Sequence, residues 1–116
     1  MSGSLLGPVT DADLRRWQRR RLELLNEFAD LADERELPVL TWKVGHHALI
    51  GEAVDPDHAA RRRAWEQWVT VLELDRWAPS TSETGRTHLH AVTRDWRGRG
   101  VDVVVVADVW EEPATE

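Results

Sequence analysis

The side chains best suited to chemistry at neutral pH are four histidines in two groups, His46-His47 and His88-Leu89-His90. Alternate side chains of a strand share a face, so the H-x-H spacing sends His88 and His90 to one side. His46-His47 falls in a turn. Three imidazoles drawn from these groups suit zinc or another borderline metal. A pair suits general acid–base work. There is no cysteine to join them, and no carboxylate stands beside them at ligand-like spacing, although Asp95 or Asp108 could be recruited. H-x-H in a strand is a short pattern, and its plainest reading is a pair of structural or surface histidines.

The second chemical resource is arginine. The chain has 14 Arg against one Lys, and a net charge of −6. The acidic balance disfavours a protein built wholly around phosphates but leaves room for a local basic patch. Arg15, Arg16, Arg19, Arg20 and Arg21 crowd one half of a segment whose other half carries Glu23, Glu27, Asp30, Asp33, Glu34 and Glu36. Arg15, Arg16, Arg19 and Arg20, with Arg61, Arg62 and Arg63 and with Arg97 and Arg99, could contact nucleic-acid phosphates. The same charge blocks would also let two copies of the segment lie antiparallel in a two-fold interface. A solvated charged face is the plainest alternative.

Seven tryptophans with no tyrosine are the third feature. Trp17, Trp42, Trp65 and Trp68 fall on expected core faces, whereas Trp77, Trp96 and Trp110 lie near element ends and suit an interface rim or ligand platform. Recognisable catalytic signatures are missing: there is no phosphate-binding G-x-x-x-x-G-K-[ST], no H-E-x-x-H, no serine in a nucleophile-elbow context and no helix-turn-helix pattern. No cofactor is expected. The absence of cysteine, of a signal-like N-terminus and of a long apolar run suggests a soluble cytoplasmic protein away from membranes.

The elements that must position these residues follow from periodicity. Residues 1–9 read as a loose leader. Thr10 and the acids behind it cap a helix over about 11–35, with Leu14, Trp17, Leu24 or Leu25, Phe28 and Leu31 as its apolar stripe. Residues 39–44 and 48–54 read as a hairpin. Asp55-Pro56-Asp57 opens a second helix over roughly 56–75, with Asp55 as its cap, and Trp77-Ala78-Pro79 stops it. Residues 80–85 form a polar loop. Residues 87–96 and 101–110 are two further strands, joined by a tight turn at Gly98-Arg99. That turn pairs Trp96 with Val101, Val92 with Val105, His90 with Ala107 and His88 with Val109. Residues 111–116 are an acidic tail.

The expected fold is therefore a single α+β domain over 10–110, a two-layer sandwich of αββαββ order. A four-stranded antiparallel sheet would carry both helices on one face. The strand at 101–110 strains this plan. Val101, Val103, Val105, Ala107 and Val109 are apolar, but so are Val104, Val106 and Trp110. A strand with one wet face alternates. One apolar face would then be left bare, marking an interface. The face carrying Val92, Trp96, Val101, Val103, Val105 and Val109 is the first choice, or else the opposite one. Val92, Trp96, Val103, Val105 and Trp110 are the interface candidates.

Leu37–Val44, Ala64-Trp65-Glu66-Gln67-Trp68 and Thr87–Val92 together resemble small uncharacterised actinomycete proteins associated with plasmids, integrative elements and phages. The resemblance spans most of 12–110. It implies a mobile-element context and carries over no catalytic residue. The resulting expectation is a protein that binds rather than catalyses, with itself as a homodimer and with a further protein partner. A nucleic-acid accessory protein and a histidine-based metal enzyme are the alternatives.

Overall fold

The computed structural model describes residues 8–45 and 47–110, so His46, the leader up to residue 7 and the tail at 111–116 lie outside the described residues. Helix α1 spans Asp11–Arg35, as its apolar period requires. The Thr10 hydroxyl accepts from the Asp13 N–H, and the Asp13 carboxylate accepts from the Thr10 N–H. This reciprocal box satisfies amides that a helix start leaves without partners. Helix α2 spans His58–Leu72 and is capped by Asp57, whose carboxylate accepts from the Ala60 N–H at 3.0 Å. Asp55, expected as the cap, instead accepts from the Asp57 N–H and holds the turn that delivers it. Glu73 ends the helix in a left-handed conformation, well before Trp77.

The strands are β1 (Thr41–Val44), β2 (Ala48–Glu52), β3 (Asp75–Arg76), β4 (Ser80–Thr81), β5 (Arg86–Thr93) and β6 (Asp102–Trp110). They form one mixed six-stranded sheet of order β1-β2-β6-β5-β3, with β4 also on β5. This corrects the four-stranded antiparallel expectation in two ways. Residues 75–81, read as helix end and loop, supply two short strands against β5. And β6 enters between β2 and β5, parallel to β2 and antiparallel to β5. A strand apolar at nearly every position is suited to the middle of a sheet, with neighbours on both sides. The segment from α2 through β5 is long enough to serve as the crossover that parallel pairing demands.

Between β5 and β6 there is no tight turn. Asp95, Arg97, Gly98 and Gly100 all take positive φ, in a loop that includes a 3₁₀ turn at Trp96–Gly98. The Asp95 carboxylate accepts from the Gly100 N–H at 2.7 Å, and Asp102 accepts from the Asp95 N–H at 2.8 Å. This wider connection shifts the register by one residue. Val92 pairs with Val104, His90 with Val106 and His88 with Asp108. A slip of one exchanges which residues share a face, so His88 meets a carboxylate rather than a valine.

Both helices pack on one side of the sheet. Val101, Val103, Val105, Ala107 and Val109 are buried beneath them, while Asp102, Val104, Val106 and Asp108 are only half-buried. Phe28 of α1 sits among Trp42, Trp68 and Trp96, with ring centroids 5.4, 6.3 and 5.2 Å away. Buried indoles need partners for their N–H groups. Trp65 donates to the Val105 carbonyl, Trp68 to that of Pro38 and Trp96 to that of Leu72. Trp42 lies directly across from Gly51, and its ring covers the space a side chain there would occupy.

Candidate functional site

The side of the sheet away from the helices carries the groups that could act. Its middle is aliphatic: Val104 of β6 is flanked in register by Ile50 of β2 and Val92 of β5. Val106 follows on the same face, between Glu52 and His90. All of these side chains are half-buried.

The expected interface residues divide between the two faces. Val92 lies on this open side, and Trp110 is 45% exposed at the end of β6. Val103 and Val105 are 0% exposed, and Trp96 is buried with its indole bonded to Leu72. Those three therefore belong to the helix-covered core and cannot line an exposed interface. The bare face is the opposite one, and its aliphatic members on β6 are Val104 and Val106.

At the upper end of this face, three polar groups form a chain. His88 Nδ1 lies 2.8 Å from Asp108 Oδ1, and His88 Nε2 lies 3.4 Å from His90 Nδ1. The first contact is of ideal length for a hydrogen bond and places the proton of a neutral His88 on Nδ1. That leaves Nε2 with a lone pair directed toward His90. Trp77 stacks on the His90 ring at 4.4 Å between centroids and 24° between planes, and its backbone N–H donates to the His90 carbonyl. Burial, and secondarily the nearby His88, hold the His90 imidazole below its ordinary 6.5. Both effects disfavour a positive charge on the His90 ring. Asp108 is also anchored through its backbone: its carbonyl accepts from Arg61 Nη1 at 2.7 Å, while Arg61 Nε donates to the Asp55 carbonyl.

The H-x-H spacing did bring His88 and His90 to one face. It did not bring His47 to them. The His47 ring packs on Trp17, and its carbonyl accepts from the Asp102 N–H at the start of β6. Asp102 and Asp108 are six residues apart, about 20 Å along a strand. His46 lies outside the described residues. Among the described residues, no group of three or more His, Cys, Asp or Glu side chains is placed to hold a metal. Of the described histidines, His88 and His90 come together with Asp108, and His47 stands apart. Trp77, expected near an element end as a rim or platform residue, stands against His90 because β3 pairs with β5.

The arginines are similarly divided. Arg15, Arg16, Arg19 and Arg20 are exposed on α1. That half of the helix lies at the His47 end, since Trp17 packs there. Arg61 is at the Asp108 end and is committed to two backbone carbonyls. Arg63 is exposed and Arg62 half-buried on the same helix. The two clusters therefore do not merge into one patch. Arg97 and Arg99 are paired with Glu73 and Glu27, and Arg99 grips both oxygens of Glu27. Arg21 is buried within the core side of α1.

No helix among the described residues is long and apolar enough to cross a membrane. No protein-family model, curated protein or solved structure matches the chain.

Proposed function

We propose that the protein is a binding module that associates with a second copy of itself through the open face of its sheet. The observation that carries this reading is the aliphatic row Ile50–Val104–Val92, extended by Val106, on the side of the sheet that neither helix covers. A face meant only for water would place polar side chains there. A continuous apolar strip with a polar rim is the pattern of a contact surface. The rim here is Lys43, Glu52, Asp102, Asp108 and the two histidines. Two such faces stack at about 10 Å, so two copies can cover one another's valines without moving a helix.

Sedimentation equilibrium of the wild type and of Val104→Lys/Val106→Lys tests this. A concentration-dependent dimer that the double variant loses, while keeping its circular dichroism, supports the reading. A wild type that stays monomeric, or a variant that dimerises equally well, rejects it.

The exposed arginines of α1 favour a second reading, contact with nucleic-acid phosphates through Arg15, Arg16, Arg19 and Arg20. It requires binding that falls steeply with salt. Fluorescence anisotropy showing no binding at low salt rejects it.

A further inference from the structure

We propose that the free edge of β1, with the apolar groove between it and α1, takes an extended strand of a partner protein that has alternating apolar side chains, an acidic N-terminal end and a basic C-terminal end. This site is independent of the self-association reading, which uses the side of the sheet away from the helices.

The main chain comes first. β1 ends the sheet, with β2 as its neighbour. The Gly45 N–H donates to the Ala48 carbonyl at 2.8 Å. Antiparallel pairs alternate between bonded and unbonded, so Lys43 and Thr41 also turn their main-chain groups toward β2. Trp42 and Val44 turn theirs outward, where among the described residues no strand meets them. Such an edge is a template for one more strand.

The walls come next. Leu25, Ala29 and Ala32 of α1 line an open crevice of about 270 Å³ together with Leu37 and Trp42. Leu14 and Gln18 line another, of about 200 Å³, with Val44 and Gly45. α1 therefore runs beside β1 in the opposite direction, with a crevice at each end of the strand. Leu22 shares the flank of Gln18 and Leu25 by helical spacing and is 45% exposed, while Val44 is 38% and Val39 88% exposed. An added strand sends every second side chain toward the helix, about 7 Å apart. Those side chains lie beside Leu40, Trp42 and Val44 and reach the two crevices.

Charge sets the direction. At the Leu37 end, Asp33 lines the crevice and Glu36 is exposed next to Leu37. At the Gly45 end, α1 carries the exposed Arg15 and Arg19 on either side of Gln18. Among the described residues, none of these four charges is paired with another side chain. β1 runs from the acidic end to the basic end. An antiparallel strand, the stronger pairing, starts beside the arginines and finishes beside Asp33. Acidic residues first and basic residues last complement that groove.

The test is fluorescence anisotropy of a labelled synthetic peptide, DEVTVTVKK, and of its charge-reversed counterpart, KKVTVTVED, titrated with the whole protein. The first should bind at least about 10-fold more tightly. Its valines face the helix when their N–H groups face β1, so N-methylation of the valines should abolish binding. Ala29→Arg fills the crevice from an exposed helix position and should weaken binding at least about 10-fold. Asp33→Lys should narrow the preference between the two peptides, and serves if Ala29→Arg unfolds. Val104→Lys/Val106→Lys should bind the peptide like wild type, whatever becomes of its self-association. Failure of both peptides to bind overturns the proposal, and so does binding that N-methylation and Ala29→Arg leave unchanged. Equal binding of the two peptides overturns the charge match. Binding lost in Val104→Lys/Val106→Lys but kept in Ala29→Arg places the peptide on the open face and overturns the groove.

Discussion

Replacing Gly51 by alanine should destabilise the protein, although alanine is the better strand residue. A Cβ at this position would stand 2.9 Å from Leu40 Cδ1 and 2.9 Å from both Cη2 and Cζ3 of Trp42. The leucine methyl can turn away. The indole cannot move easily, because it is wedged against Phe28 at 5.4 Å and Trp68 at 5.6 Å. Overpacking of this kind costs about 1–3 kcal/mol. Relief of the glycine's chain entropy returns about 0.5–1 kcal/mol. The net is a loss of about 0.5–2 kcal/mol, or roughly 2–10 °C in Tm for a domain of this size. Urea unfolding followed by tryptophan fluorescence reads the free energy. Trp42→Phe shortens the ring that meets the new methyl, so Gly51→Ala in that background should cost at least 0.5 kcal/mol less, as coupled neighbours do. Equal or higher stability of the single variant refutes the packing argument, and so does strict additivity of the pair.

Other outcomes follow from neighbouring residues. Val105→Thr buries a hydroxyl on the helix-covered face and should cost about 1–3 kcal/mol in urea unfolding, whereas Val104→Thr, half-exposed on the other side, should cost less than about 1 kcal/mol; equal losses would mean the faces are wrongly assigned. Arg61→Ala breaks one hydrogen bond to Asp108 of β6 and one to Asp55 in the turn ahead of α2, and should lower stability by about 1–2 kcal/mol with no change at the opposite end of the sheet by amide exchange. The ring protons of His90 should titrate below 6.5 in an NMR series, since burial and His88 depress its protonation in the folded state. The unfolded chain then binds that proton first, so this group's contribution to stability is intact above 6.5 and is lost as pH falls toward the folded value. A His90 titrating at or above 6.5 contradicts the placement. Glu27→Gln breaks an exposed pair with Arg99 and should change stability by less than about 1 kcal/mol at moderate salt; a larger loss would show that the pair fixes the loop after β5.

Local signals were legible wherever a single turn or period carries them. The span of α1 and its Thr10–Asp13 box follow from apolar spacing and one capping pattern, and both helices were found in their places. The shared face of His88 and His90 follows from alternation within one strand. Less was legible where a loop sets the outcome. The left-handed residues Asp95 and Arg97 are neither glycine nor asparagine, so the chain did not advertise the wide connection that moves the register by one. That single slip set His88 against Asp108 and Val92 beside Val104, and helix packing on the other side left Val104 and Val106, rather than Val103 and Val105, uncovered.

The sequence by itself determined that β6 would be apolar on both sides and that something had to accommodate it. Where it would lie was a matter for the tertiary structure. Hydrogen-bonding edges are alike along any strand, so composition cannot say which strand is the neighbour. Parallel pairing with β2 became available only once α2 and the β3–β5 segment had carried the chain back across the sheet. Burial of Val101, Val103, Val105, Ala107 and Val109 against the tryptophans then selected one face for the core. The other face kept its valines, its two histidines and Asp108 at the surface, because no helix remained to cover them.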